Sequence, residues 1–289
     1  YTIVDTVANL ASITLAGTNA ANVIANVQSG DKTISDTTLD SDVTKIDLNG
    51  QAGVVMNKAN AHNRTIQATG GGNYTIVDTV ANLASITLAG TTAANVIANV
   101  QNGDKTISDT TLDSDVTIID LNAQTTVVMD AANANNRTIQ ATGGGNYTIV
   151  DTVANLSSTN TFAGTAAANV IANVQGGDKT ISDTTLHEDV TIIDLNAQTS
   201  VVMDAANAHN RTIQATGGGN YTIVDTVANL STSNTFAGTN AANVIANVQA
   251  GDKTISDTTL HADVTRIDLN AQTGVVMDKA NAHNRTIQA

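Results

Sequence analysis

The 289-residue chain has no cysteine, proline or tryptophan, and only four tyrosines and two phenylalanines. Without cysteine it can form neither disulfides nor thiolate metal sites. Without large rings, its core must be packed from Ile, Val, Leu and Ala. Cations are scarce as well, 12 Lys and Arg against 26 Asp and Glu, for a formal net charge of −14. That balance repels a phosphate backbone and excludes nucleic acid as a partner. No apolar run approaches the roughly 18 residues of a membrane span, so membrane insertion is not expected. The missing initiator Met fits a processed or excerpted chain.

What the chain has instead is repetition. The phrase TIVDTVANL begins at Thr2, Thr75, Thr148 and Thr222, which divides the sequence into four copies with a period of 73 or 74 residues, at 1–73, 74–146, 147–220 and 221–289. The extra residue arises where ASITLAG, Ala11 to Gly17, becomes SSTNTFAG, Ser157 to Gly164, a change that marks a surface loop. Each copy divides again. Short strands ending in Asp or Asn recur as TIVD (from Thr2), TISD (from Thr33) and VVMN (from Val54), with steps of 31, 21 and 21 residues. A second strand follows each, as ITLAG from Ile13, IDLNG from Ile46 and IQATG from Ile66, closed by turns at Gly17, Gly50 and Gly70.

Alternation places Ile3, Ile34 and Val55 on one inward row and Ile13/Leu15, Ile46/Leu48 and Ile66/Ala68 on the other. The extra segment Ala20 to Val27 suits either a short helix or a third strand, and periodicity does not choose. TVANLA, TTLDSD and KANAHN read as single helical turns capped by Asp5, Asp36 or Asn57. The expected fold is all-β, one continuous right-handed parallel β-solenoid of about three coils per copy, because a single coil cannot bury its own apolar row. The outward rows predict one sheet face without charge (Thr2/Val4, Thr33/Ser35, Val54/Met56) and one polar face (Ser12/Thr14, Lys45/Asp47, Thr65/Gln67).

Differences between the copies fall at outward positions. Position 45 reads Lys45, Ile118, Ile192 and Arg266 in turn, and Asp40 becomes Asp113, His187 and His261. No catalytic residues are expected, since every Asp and Asn of interest recurs in register rather than in one asymmetric cluster. His62, His187, His209, His261 and His283 form no HExxH and no zinc spacing. Gly70-Gly71-Gly72-Asn73 and Gly30-Asp31-Lys32-Thr33 match neither dinucleotide nor phosphate-loop patterns and read as turns. Outward rows reading Thr/Thr/Val and Thr14/Asp47/Gln67 do not make the regular Thr array that ice binding needs. Calcium is the one ion to weigh, through Asp31, Asp36, Asp40, Asp42 and Asp47, although the GGxGxDxUx nonapeptide is absent. The expectation is therefore no metal site and no cofactor. Asn63-Arg64-Thr65 and Asn73-Tyr74-Thr75 match the glycosylation sequon, as chance allows in an Asn/Thr-rich chain.

YTIVDTVANLASITLAG, IDLN and TIQATGGGNYTIVDT together resemble the repeat tracts of very large secreted bacterial surface proteins, adhesins and extracellular matrix fibres. The resemblance covers the whole chain and lies in composition and rhythm. It implies a passive extracellular role, as a stalk, adhesin shaft, surface layer or self-assembling fibre, with the chain itself as partner, and it carries no binding residues over. The reading from another class is a repetitive adhesin module that holds calcium, carbohydrate or mineral through turn Asp and Asn side chains.

Overall fold

The computed structural model describes residues 1–11, 13–14, 20, 22–157, 159–231, 235–238 and 241–289, with no side-chain description at 237–238. The expected strand residues Leu15 and Gly17, the outward Ser12 and the segment residue Ala21 lie outside that set. The chain is built mostly of short strands in parallel sheets, with a few short helices, an arrangement of parallel β-solenoid type. It divides into two compact units, Tyr1–Tyr147 with Thr161–Ala166, and Thr148–Asn160 with Ala167–Ala289.

In the first unit the strands are β1 (Thr2–Thr6), β2 (Asn22–Asn26), β3 (Lys45–Asp47), β4 (Val54–Met56), β5 (Thr65–Gln67), β6 (Tyr74–Thr79), β7 (Ala89–Gly90), β8 (Asn95–Asn99), β9 (Ile118–Asp120), β10 (Val127–Met129) and β11 (Thr138–Gln140). One sheet runs β1-β2-β3-β5-β7. The other runs β4-β6-β8-β9-β11 and ends on β13 (Ala163–Gly164). The strand pairs of this unit are parallel, and most partners, Thr2↔Asn22, Ile24↔Lys45, Lys45↔Thr65 and Val54↔Tyr74 among them, stand 20 or 21 residues apart, whereas Thr65↔Ala89 spans 24 and Thr138↔Ala163 spans 25. Alternation then stacks like on like. Met56, Ile76 and Val96 make one buried column and Ala98, Ile119 and Ile139 the next, each at most 2% exposed.

The second unit repeats the plan. Strands β12 (Tyr147–Thr152, all but its first residue in this unit), β14 (Asn169–Asn173), β15 (Ile192–Asp194), β17 (Thr212–Gln214) and β19 (Ala237–Gly238) form one sheet. The other is β16 (Val201–Met203), β18 (Tyr221–Thr226), β20 (Asn243–Asn247), β21 (Arg266–Asp268) and β22 (Thr286–Gln288).

Several sequence expectations change here. The segment after Ala20 is a strand, β2, with Val23, Ala25 and Val27 inward and Ile24 outward. It pairs with TIVDT on one edge and with β3 on the other, so strands from both expected rows share one sheet. The division into a dry and a polar face is therefore overturned. Equivalent strands of the first two copies, β1 and β6, β2 and β8, β3 and β9, β5 and β11, stand in different sheets. The 31-residue step expected from the sequence is thus not a spacing between these paired strands.

TISD is a 3₁₀ turn, Ile34–Asp36, with the isolated bridge Thr33↔Val55 at its start. It bends because the Asn60 side chain, one rung away, takes the carbonyls of Ile34 and Thr37, which a flat ladder would need. In VVM the inward residues are Val54 and Met56, both 0% exposed, while Val55 faces out. Ala68 is half-buried rather than a core residue. In the second copy only the last two residues of ITLAG form a strand, β7. There Gly90, at φ +92°, lies against Ile66 so closely that a Cβ would overlap the Ile66 carbonyl oxygen.

The helical turns are short. KANA forms α1 (Lys58–Ala61), capped as expected by the Asn57 side chain, which accepts the Asn60 amide. Its counterparts α2 (Ala131–Ala134), α3 (Ala205–Ala208) and α4 (Lys279–Ala282) use Asp130, Asp204 and Asp278 as caps. TVANLA contributes a 3₁₀ turn at Asn9–Ala11. TTLDSD forms no helix and instead inserts buried Leu39.

Candidate functional site

The polar residues that the fold does bring together are those stitching one rung to the next. Arg64 follows α1 and turns inward, 7% exposed. Its Nε donates to Val43 O at 2.9 Å, Nη1 to Ala59 O (2.7 Å) and Asn60 O (3.0 Å), and Nη2 to Leu39 O (3.3 Å) and Asp40 O (2.9 Å). Every donor of the guanidinium therefore ends on a backbone carbonyl. Burial lowers the arginine pKa, with Asp40 nearby pulling the other way. Arg137, Arg211 and Arg285 make the same contacts in the other copies.

Asn60, 0% exposed, accepts the Leu39 amide and donates to Ile34 O and Thr37 O, and Asn133, Asn207 and Asn281 repeat it. Tyr74 stands in the core with its hydroxyl donating to Thr91 O at 2.8 Å. Burial, helped by the charge of Asp115, pushes that phenol up to about 12.

Of the residues weighed for calcium, Asp47 and Asp40 accept hydrogen bonds on their carboxylates. Asp47 accepts the amides of Asn49 and Thr69 on Oδ1 and the Gln67 carboxamide on Oδ2. Desolvation raises its pKa, but these bonds outweigh it and hold the carboxyl below its ordinary value. Asp40 Oδ1 accepts the Asp42 amide, closing its own turn. Asp36 lies in the 3₁₀ turn, and the Asp31 amide donates to Gln28 O. Among the described residues no group of three His, Asp or Glu side chains converges. Gly70, Gly71 and Gly72 all have positive φ, as turns require, and Asn73 accepts the Gly53 amide. Of the sequon residues, Asn63 and Asn73 are both exposed.

Four of the five histidines act as acceptors. The Thr87 amide donates to His62 Nδ1 and the Thr235 amide to His209 Nδ1, both at 3.0 Å. His187 Nδ1 accepts the Asp189 amide and His261 Nδ1 the Asp263 amide, as Asp40 and Asp113 do for Asp42 and Asp115. The acid at that turn is replaceable because the turn needs an acceptor, not a charge. A surface depression of about 570 Å³ is lined by Lys58, His62, Arg64, Asp78 and neighbouring polar residues.

Sequence reasoning missed the arginine and asparagine stitches. Their signal was present: Arg64, Arg137, Arg211 and Arg285 recur without change in a chain poor in cations, whereas Lys58 becomes Ala131 and Ala205. Among the described residues no helix is long and apolar enough to cross a membrane. Comparison with protein families, curated proteins and solved structures gives no match to the chain.

Proposed function

We propose that the chain is a structural segment of an extracellular bacterial surface protein, a right-handed β-solenoid shaft or self-assembling fibre subunit whose task is mechanical. The observation that carries this reading is the use of the repeated polar side chains. Arg64, Asn60 and Asp47, with their counterparts, spend their hydrogen bonds on holding neighbouring rungs rather than on presenting groups outward. The strand register suits about three and a half turns of roughly 21 residues per copy, instead of three. Parallel rungs continue wherever another edge of the same chemistry is offered, so identical chains can extend or flank one another.

Electron microscopy at physiological salt, with calcium and with chelator, tests the reading. Long filaments that persist in chelator are expected. Discrete particles in both conditions would remove self-assembly and leave a passive shaft. Filaments that require calcium would overturn the purely mechanical reading and make the turn aspartates ligands.

A further inference from the structure

A backbone amide can only donate, so the histidine nitrogen facing it must carry a bare lone pair. Thr87 N therefore fixes His62 as a neutral imidazole with its proton on Nε2, and Thr235 N does the same for His209. In His209 that Nε2 lies 3.0 Å from Asn210 Nδ2, and with the ring proton on Nε2 the Asn210 carboxamide must turn so that its oxygen faces the ring. Each histidine belongs to a two-point clasp. The following residue, Asn63 or Asn210, donates its amide to the carbonyl of the same threonine, at 3.1 Å to Thr87 O and 3.0 Å to Thr235 O. The clasp ties the segment after α1 or α3 to the loop of the next copy.

The second copy has the same clasp without a histidine. Thr161 N donates to Asn135 Oδ1 at 2.8 Å, and Asn136 N donates to Thr161 O. A carboxamide oxygen remains an acceptor at any physiological pH, whereas an imidazole that gains a second proton becomes a donor at both nitrogens. We propose that His62 and His209 are acid-sensitive clasps that release the loops at Thr87 and Thr235 on protonation, while the Asn135 clasp stays closed.

Among the described residues the charged surroundings leave a protonated ring without an exchange partner. On the segment of His62 stand Lys58 and Arg64, across the depression is Asp78, and behind the loop Asp113 accepts the Ile86 amide. Around His209 are Asp204 and Arg211 on its own segment, Asp225 accepting the Ala205 amide, and, beyond Phe236, His261 with Asp263. Among the described residues the histidine–carboxylate pairs are His187–Asp189 at 3.6 Å and His261–Asp263 at 3.5 Å. Those two turn histidines can exchange an accepted amide for a carboxylate when protonated, and their turns survive acid. Among the described residues His62 and His209 have no carboxylate so placed.

The test is amide hydrogen exchange by NMR on the full chain between about pH 7.5 and 5.5, corrected for intrinsic rates, since imidazoles gain their proton in this range. The Thr87 and Thr235 amides should lose protection by about twofold to tenfold, the worth of one hydrogen bond, with no change at Thr161. In a His62→Asn, His209→Asn variant, which copies the second repeat, all three amides should hold their protection across the range. Nitrogen-15 ring shifts should report the Nε2–H tautomer for both histidines at neutral pH. Equal loosening at Thr161, unchanged protection at Thr87, or an acid response that survives in the double variant would each overturn the proposal.

Discussion

At the scale of the residue, the stack rests on side chains that look unremarkable in sequence. A guanidinium buried without a paired carboxylate is normally costly, and here five carbonyls in a planar fan replace its water. Removing Arg137 would leave the carbonyls of Val116, Ala132, Asn133, Leu112 and Asp113 without those donors, although the cost of burying the cation disappears with it. Arg137→Met, which keeps the apolar stem, is expected to destabilise by about 3 kcal/mol. Arg137→Lys should recover little of that, because three donors on a flexible stem cannot meet five acceptors placed for a fork. Urea midpoints of the two variants measure this, and a midpoint unchanged in Arg137→Met would mean that the carbonyls find water instead.

At the scale of the element, strands were legible where apolar and polar residues alternate and illegible where they do not. IDLN and TIQ carry a clear period of two, and β3 and β5 lie where that period puts them. VVM offers three apolar residues in a row, so alternation does not choose which of them face in, and the inward position expected at Val55 falls instead at Val54 and Met56. The hydrogen bond from Val55 N to Lys32 O and the pairing of Val54 with Tyr74 decide it, and both are long-range. TISD failed for a similar reason, since its bend is imposed by Asn60 from another rung. The corrected register has a direct consequence in β10. Val127→Thr buries a hydroxyl in the column where Val127 is 0% exposed, and should cost on the order of 1 to 2 kcal/mol. Val128→Thr, on the outward side, should stay within about 0.5 kcal/mol. Thermal or urea unfolding compares them, and the opposite order would restore the register read from sequence.

At the scale of the whole molecule, the placement of equivalent strands in different sheets decides what each surface displays. Within the first unit the outward column Val4–Ile24–Lys45 lies on one sheet and its counterpart Val77–Ile97–Ile118 on the other. The second unit likewise carries Val150–Ile171–Ile192 and Val224–Ile245–Arg266 on separate sheets. An uninterrupted Val–Ile–Ile ridge is thus presented by the two middle copies, while a cation closes the ridge in the outer two. Charge on an outward strand is a known guard against lateral pairing of sheets. If filaments of this chain associate side by side, the Ile118 and Ile192 ridges are the surfaces through which they should do so. Ile118→Lys combined with Ile192→Arg places in the middle copies the residues that the outer copies already accept at Lys45 and Arg266, so the fold should lose no more than about 0.5 kcal/mol. Bundles in electron micrographs should then give way to single filaments of unchanged length. Bundles that persist would place the lateral contact on another surface, and loss of the filaments themselves would mean that growth along the axis and packing across it use the same ridge.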